Sequence, residues 1–382
     1  MDFSSTEEQR LLRRTVREFA QSEIAPQTRR LDESKEFPHE LFRKMGTMGL
    51  LGVTVPQTYG GAAMSYQDYV IIIEELARVD PAIALGVAAH NGLCVNHLSR
   101  FGSEQQKRKY LPRLARGEHL GAWSLTEPTA GSDAGGTRSR AEPDDDGFIL
   151  NGAKTFATHG SVGQVCVVFC VTDPDKGKKG ISAFLLEKGM KGFRHGKVED
   201  KLGMRASDTA EVIMEDCRVD RSHLIGTEGM GFVNALEILD RGRIGIAALS
   251  LGTAQGAYEV ARDYALQREQ FGKPIAQFQA IRFMLADMAT RIEASRLLTY
   301  KAAFIEDQQK ERVTCHSAMA KLFASETAVR VADDAVQVLG GYGYTKDYPA
   351  EKFFRDAKLC TIGEGTSQIQ RLVIARSILD RV

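Results

Sequence analysis

Val165-Cys166-Val167-Val168-Phe169-Cys170-Val171, followed by Ile181-Ser182-Ala183-Phe184-Leu185-Leu186, is where this 382-residue chain stops reading as helix. Both runs are short, apolar and bounded by Gly, Pro and Asp, a pattern that suits strands better than another amphipathic helix. The same texture begins near Gly121. Phe148-Ile149-Leu150 is a third such run, and Asn151-Gly152 predicts a tight turn between two strands. A compact β domain over residues 120–230 follows from this punctuation.

On either side the periodicity is helical. Leu11, Leu12, Val16, Phe19 and Ile24 recur near three- and four-residue spacing, as do Val70, Ile73, Leu76 and Ala77. Pro38, Pro56, Gly60-Gly61, Pro81 and Pro112 break that region into several segments, giving an N-terminal helical domain over 1–119. After Gly231 the helical faces lengthen: Ala235–Leu266, Phe278–Ile305, Val313–Leu339 and Ile369–Leu379 predict a four-helix antiparallel bundle over 231–382. Gly252 and Gly256 would let one of these helices pack closely on another. The fold class is therefore α+β and multidomain: helical domain, barrel-like β domain, helical bundle.

Composition excludes several functions. The chain is 43% apolar and 26% charged, with 50 basic and 50 acidic residues, so no net field draws nucleic acid or an anionic membrane. The longest weakly charged stretch, Pro81 to Ser99, contains His90, Asn91, Asn96 and His97 and is read as an internal helix and turn, with no membrane span. Acids at Asp2, Glu7 and Glu8 stand where a secretory leader needs positive charge, which predicts a cytoplasmic protein. The six cysteines form no C-x-x-C pair and the eight histidines no metal spacing, so a disulfide framework and a metal site are both disfavoured.

Five stretches carry candidate chemistry. Ile362-Gly363-Glu364-Gly365-Thr366-Ser367-Gln368 sets an acid between two glycines, which leaves a carboxylate open to close approach, as a general base requires. A solvated Glu in a glycine-rich turn is the plainer alternative. Trp123-Ser124-Leu125-Thr126-Glu127-Pro128-Thr129-Ala130-Gly131-Ser132-Asp133 combines the only tryptophan with hydroxyls and a proline turn, and can stack on a planar ring or form an ordinary turn. Asp240-Arg241-Gly242-Arg243, read as opening a helix, and Arg268-Glu269-Gln270-Phe271, after its other end, offer arginines for phosphates or for surface ion pairs. Gln337-Val338-Leu339-Gly340-Gly341-Tyr342-Gly343 ends a helix with bare backbone, as a C-cap or as a phosphate or sugar contact. No Gly-x-Gly-x-x-Gly follows a strand, so a Rossmann site is not indicated.

Taken in order, and with Val55-Pro56-Gln57-Thr58-Tyr59-Gly60-Gly61, Phe101-Gly102-Ser103-Glu104-Gln105-Gln106, Arg355-Asp356-Ala357-Lys358 and Thr366-Ser367-Gln368-Ile369-Gln370-Arg371, these segments resemble the acyl-CoA dehydrogenase family from first helix to last. The resemblance implies that family's fold, usually tetrameric, and an FAD enzyme that desaturates an acyl-CoA thioester and passes electrons to an electron-transfer flavoprotein, as in fatty acid β-oxidation or amino acid catabolism. By the same resemblance Glu364 removes the Cα proton while a hydride leaves Cβ for flavin N5. Trp123, Leu125, Thr126, Gly131, Ser132, Phe156, Ala157 and Thr158 are implied to meet the flavin and its chain. Arg268, Phe278, Gln279, Gln337, Val338, Gly340 and Gly341 are implied to reach the FAD of a neighbouring subunit, with Thr366 and Gln368 completing the flavin site. Ser132, Asp240, Arg243 and Gly365 are implied to face the substrate.

The chain departs from the family at informative places. Gly242 occupies the position from which some relatives supply the base, so the base is expected at Glu364. Gly363 stands where many members place a tyrosine beside the acyl chain, which predicts room for branched or cyclic groups. Phe156 replaces a common tryptophan and His159 a frequent asparagine. Asp80-Pro81-Ala82-Ile83-Ala84-Leu85 lacks the arginine that glutaryl-type relatives use, which disfavours a dicarboxylic substrate. An acyl-CoA oxidase, an enoyl-CoA reductase and a non-catalytic helical scaffold remain the alternatives.

Overall fold

The computed structural model describes residues 5–379. Seven helices come first: α1 (Glu7–Phe19), α2 (Thr28–Ser34), α3 (His39–Thr47), α4 (Tyr66–Ala77), α5 (Pro81–Ala89), α6 (Asn96–Phe101) and α7 (Glu104–Ala115). Hydroxyls start three of them. Thr6, Ser65 and Ser103 each accept a hydrogen bond from the backbone three residues on, and Gln9, Asp68 and Gln106 accept one in return. The Gln106 amide also donates to the Ser222 and Leu224 carbonyls, which ties α7 to the following domain.

The β domain contains β1 (Gly121–Ser124), β2 (Arg140–Asp144), β3 (Gly147–Thr158), β4 (Val165–Val171), β5 (Ile181–Glu187), β6 (Phe193–Val198), β7 (Thr209–Asp220) and β8 (Leu224–Ile225). They form one sheet in the order β6-β7-β3-β2-β4-β5-β8, with β1 parallel to β4. β4 and β5 are buried along almost their whole length, which explains why their sequences run continuously apolar instead of alternating. Asn151-Gly152 is not the turn its sequence predicts. It lies inside β3, where the register with β7 slips between Leu150 and Gly152, and Gly152 takes φ 146° because a Cβ there would lie 2.3 Å from Ser139 Oγ. The hairpin reverses instead at Asp145-Asp146, with Asp145 at φ 43°.

The C-terminal region holds α8 (Gly231–Gln267), a short ribbon of β9 (Glu269–Gln270) and β10 (Lys273–Pro274), α9 (Gln279–Gln308), α10 (Thr314–Leu339), α11 (Ala350–Cys360) and α12 (Ser367–Leu379). Three helices are long as expected, and the fourth segment is shorter and preceded by α11. The sequence break lies in Gly340–Pro349, where Gly340 turns at φ 62°. Asp240-Arg241-Gly242-Arg243 lies well inside α8, not at its opening, because the helix already begins at Gly231. α8 is the hub of the molecule, packing against α4, α5, α9, α10 and α11. Gly252 and Gly256 permit this: a Cβ at either would come within 2.3 Å of a carbonyl oxygen of α4 or its C-cap, Glu74 and Arg78 respectively. All six cysteines are buried and unpaired. Among the described residues no helix is long and apolar enough to cross a membrane.

Candidate active site

Glu364 sits in the short loop between α11 and α12. Its backbone adopts φ 52° and that of Gly365 φ 91°, consecutive left-handed residues that only the second accepts without strain. The loop turns on bonds from the Ile362 and Gly363 amides to the Leu359 carbonyl and closes with Ser367 N donating to Thr361 O at 3.0 Å. This turn aims the side chain inward. Oε2 is shielded from solvent and has no hydrogen-bond partner among the described residues.

The carboxylate rests on α8. A Cβ placed on Gly242 would lie 2.1 Å from Glu364 Oε2 and 3.2 Å from a Leu93 methyl. Gly242 is therefore glycine because the acid fills its side-chain volume, and the two sequence positions considered for a base converge on one point. Leu93 from the wide turn after α5 and Tyr69 from α4 wall the same space. The Tyr69 hydroxyl donates to the Ala88 carbonyl at 3.1 Å and crowds Gly92 and Gly245, where added Cβ atoms would come within 3.1 Å and 2.5 Å of it. Beside Gly363 the space is open, since a Cβ there meets only Leu359 at 3.7 Å or beyond.

Burial raises the Glu364 carboxyl to about 7, against the opposing pull of the Lys321 and Arg243 cations. Burial also raises the Tyr69 phenol, with the nearby Glu364 charge adding to it. Arg243 is itself buried and bound at 2.6 Å to Asp240, which also accepts from the Thr314 hydroxyl. An acid near 7 in a shielded pocket can exchange a proton with a bound molecule at neutral pH.

The sequence candidates fall into separate groups. Glu364, Gly365, Asp240 and Arg243 lie around the pocket just described. Leu125, Thr126 and the end of β3 are joined by Thr155 N donating to Thr126 O at 2.9 Å and by the buried Lys154–Glu127 ion pair at 2.7 Å. Phe156, at φ 59° and 65% exposed, projects from that end, beside buried Ala157 and half-buried Thr158. Trp123 donates from Nε1 to His97 Nδ1 at 3.2 Å and packs edge-on against Phe169. Gly131 and Ser132 are exposed.

Arg268, Phe278, Val338, Gly340 and Gly341 line one cleft of about 680 Å³, where the Arg268 guanidinium lies over the Tyr342 ring. That cleft shares no lining residue with the Glu364 pocket. Gln279 and Gln337 are exposed and outside its wall, and Gln368 is exposed on α12. Thr366 caps α12, its hydroxyl accepting from Ile369 N at 3.3 Å. Sequence reading missed Tyr69, Leu93, Lys321 and Gln370. Lys321 had a visible signal: it interrupts the face of small residues Ala318, Ser325, Ala328 of α10, where a lysine has no reason to be unless something inside uses it.

Comparison with known proteins gives matches along nearly the whole chain. Residues 6–118, 122–217 and 229–379 match the N-terminal, middle and C-terminal domains of acyl-CoA dehydrogenases. The "Acyl-CoA dehydrogenase, short-chain specific" of Clostridium acetobutylicum is 48% identical over 99% of this chain and 100% of its own length. The "Acryloyl-CoA reductase (NADH)" of Anaerotignum propionicum is 45% identical over 100% of this chain and 97% of its own. A chain of the solved structure of the electron transferring flavoprotein of Acidaminococcus fermentans superposes with a TM-score of 0.98 at 47% identity, covering 99% of this chain and 100% of that one. With three consecutive domains, a buried acid against the central helix and relatives this similar over full length, the chain belongs to the acyl-CoA dehydrogenase family.

Proposed function

We propose that this chain is an FAD-dependent dehydrogenase of short acyl-CoA thioesters, with Glu364 as the base that removes the Cα proton. The observation that carries the reading is the Glu364 carboxylate, shielded and unpartnered over Gly242 and raised to about 7. The residues present fit the family's FAD. Phe156 offers an open aromatic face near the end of β3, and Gly340 and Gly341, where an added Cβ meets nothing within 4 Å, leave a cradle beside Arg268. Leu125, Thr126, Gly131, Ser132, Phe156, Ala157 and Thr158 would hold one part of it, with Trp123, Thr366 and Gln368 near the ring. Arg268, Phe278, Gln279, Gln337, Val338, Gly340 and Gly341 would hold the part belonging to a neighbouring copy. When bound, FAD supplies the hydride acceptor.

A thioester whose Cα sits beside Glu364 meets a desolvated carboxylate, a stronger base than one in water. Among the described residues the Glu364 amide N–H has no acceptor, so it is free to donate to the thioester oxygen and stabilise the charge that develops as the proton leaves. Tyr69, Leu93 and the glycines Gly92, Gly242 and Gly245 bring helices close around the acyl group, while the opening at Gly363 leaves space for a branch or ring. Arg243, Asp240 and Ser132 are proposed to serve the substrate side.

Electron transfer to an electron-transfer flavoprotein is supported by the likeness to the A. fermentans structure. Similarity to an acryloyl-CoA reductase supports a second reading in which the same site reduces an enoyl-CoA. Exposed Phe283, Leu297, Phe304 and Leu372 on the C-terminal helices support assembly with further copies, a homotetramer as in the family, and six free thiols suit the reducing cytoplasm. The deciding experiment assays purified protein against straight, branched and cyclic acyl-CoAs with a dye acceptor, and enoyl-CoAs with a reduced donor. Desaturation with negligible peroxide release is expected; turnover only in the reductive direction would replace this reading by the second.

A further inference from the structure

The loop bearing Glu364 is pinned through its carbonyl oxygens by side chains from two other helices. Gln370 Nε2, on α12, donates to the Gly365 carbonyl at 2.9 Å and to that of Glu364 at 3.2 Å. Lys321 Nζ, on α10, donates to the Gly365 carbonyl at 2.7 Å. The Lys321 side chain is completely buried, and among the described residues no carboxylate lies within ion-pair distance of it. A buried ammonium whose only close partner is a neutral carbonyl is costly to the fold unless another charge uses it.

The groups that face this ammonium are few. Glu364 approaches across the loop, the Cys360 thiol from α11, Glu326 from α10 itself, and Arg243 from α8, the last already bound to Asp240. Glu364 in turn is faced by Tyr69 of α4, Arg243 and Lys321. We infer that Lys321 is a positioning residue for the base: it fixes the Glu364-Gly365 turn through the Gly365 carbonyl and supplies the cation against which Glu364 ionises. The inference rests on the proposed function. Burial lowers the Lys321 ammonium to about 8, opposed by the Cys360 and Glu364 charges, and Lys321 stands first among the groups that hold Glu364 down. Between these two values the pair is charged on both sides, and the two groups titrate together.

Lys321→Gln keeps a donor for Gly365 and removes the charge; Lys321→Met removes both. In the pH profile of kcat/KM for an acyl-CoA, Lys321→Gln is expected to move the acid limb up by about one pH unit, as loss of a neighbouring opposite charge requires. Lys321→Met is expected to shift it likewise and to lower kcat at least about tenfold with little change in KM, as a misplaced base would. Amide exchange over residues 361–366 should rise in the Met variant and stay near wild type in the Gln variant. A purely structural lysine would leave the acid limb in place, and an unmoved limb in the Gln variant with unchanged exchange in the Met variant overturns the inference. Should neither variant fold, infrared titration of the wild-type holoenzyme decides: the carboxylate band absent from Glu364→Gln must respond a second time near the Lys321 titration, and a single step overturns the inference. Wild-type protein that turns over no acyl-CoA instead refutes the dehydrogenase reading, whatever the variants do.

Discussion

Replacing Glu364 by Gln is expected to abolish turnover and, at neutral to alkaline pH, to stabilise the fold. The carboxyl titrates near 7 where a free side chain titrates at 4.5. At about 1.4 kcal/mol per pH unit that gap corresponds to roughly 3.5 kcal/mol. The residue as a whole is only half-buried although Oε2 is shielded, so a screened figure of about 2 kcal/mol is the one to test. Because folding raises this pKa, the folded state holds the proton more tightly than the unfolded chain does. The group's contribution is whole below about pH 4.5 and is lost as pH rises through 7. Gln cannot ionise, so Glu364→Gln should match the wild type near pH 4 and exceed it by about 2 kcal/mol near pH 8 in urea denaturation of the FAD-loaded proteins. Turnover should fall at least roughly a thousandfold, with flavin absorbance retained, as expected when a positioned base is lost. A stability difference that stays flat between those pH values would show that the carboxylate is not desolvated, and near-normal desaturation would remove Glu364 from the chemistry.

Gly242→Ala puts a methyl 2.1 Å from Glu364 Oε2, so the carboxylate must swing away; kcat should drop at least about tenfold while FAD content holds, measured by single-turnover flavin bleaching. Gly363→Tyr enters open space and should fold normally, with kcat/KM falling for branched and cyclic acyl-CoAs far more than for straight ones in a substrate panel. A proportional loss across the panel would refute the role of that opening. Arg268→Ala, whose guanidinium lines the 680 Å³ cleft, should weaken FAD retention on gel filtration without altering the helical circular dichroism signal; unchanged flavin content would exclude the cleft as part of the cofactor site.

Much of the fold was legible because periodicity is a local property. Helix, sheet and helix follow from apolar spacing, and the buried run Val165–Val171 shows a strand covered on both faces. Local signals failed where a distant contact set the backbone. Asn151-Gly152 reads as a turn, yet Ser139, just ahead of β2, packs against Gly152 where the register slips. Asp240–Arg243 reads as a helix start because charges interrupt the apolar face, yet burial against α10 carries the helix through it. The flanking glycines made Glu364 legible, and the same logic led to Gly363.

By itself the sequence determined that an acid stands between two glycines shortly before the last helix of the C-terminal region, and that basic and acidic residues balance. Only the tertiary structure decided that Gly242, Tyr69, Leu93 and Lys321, from four elements far apart in the chain, meet at that acid. The reason is electrostatic as much as geometric. The carboxyl is raised to about 7 by the water that packing removes, against the pull of the cations that packing brings near, and neither leaves a trace in the spacing of residues along the chain.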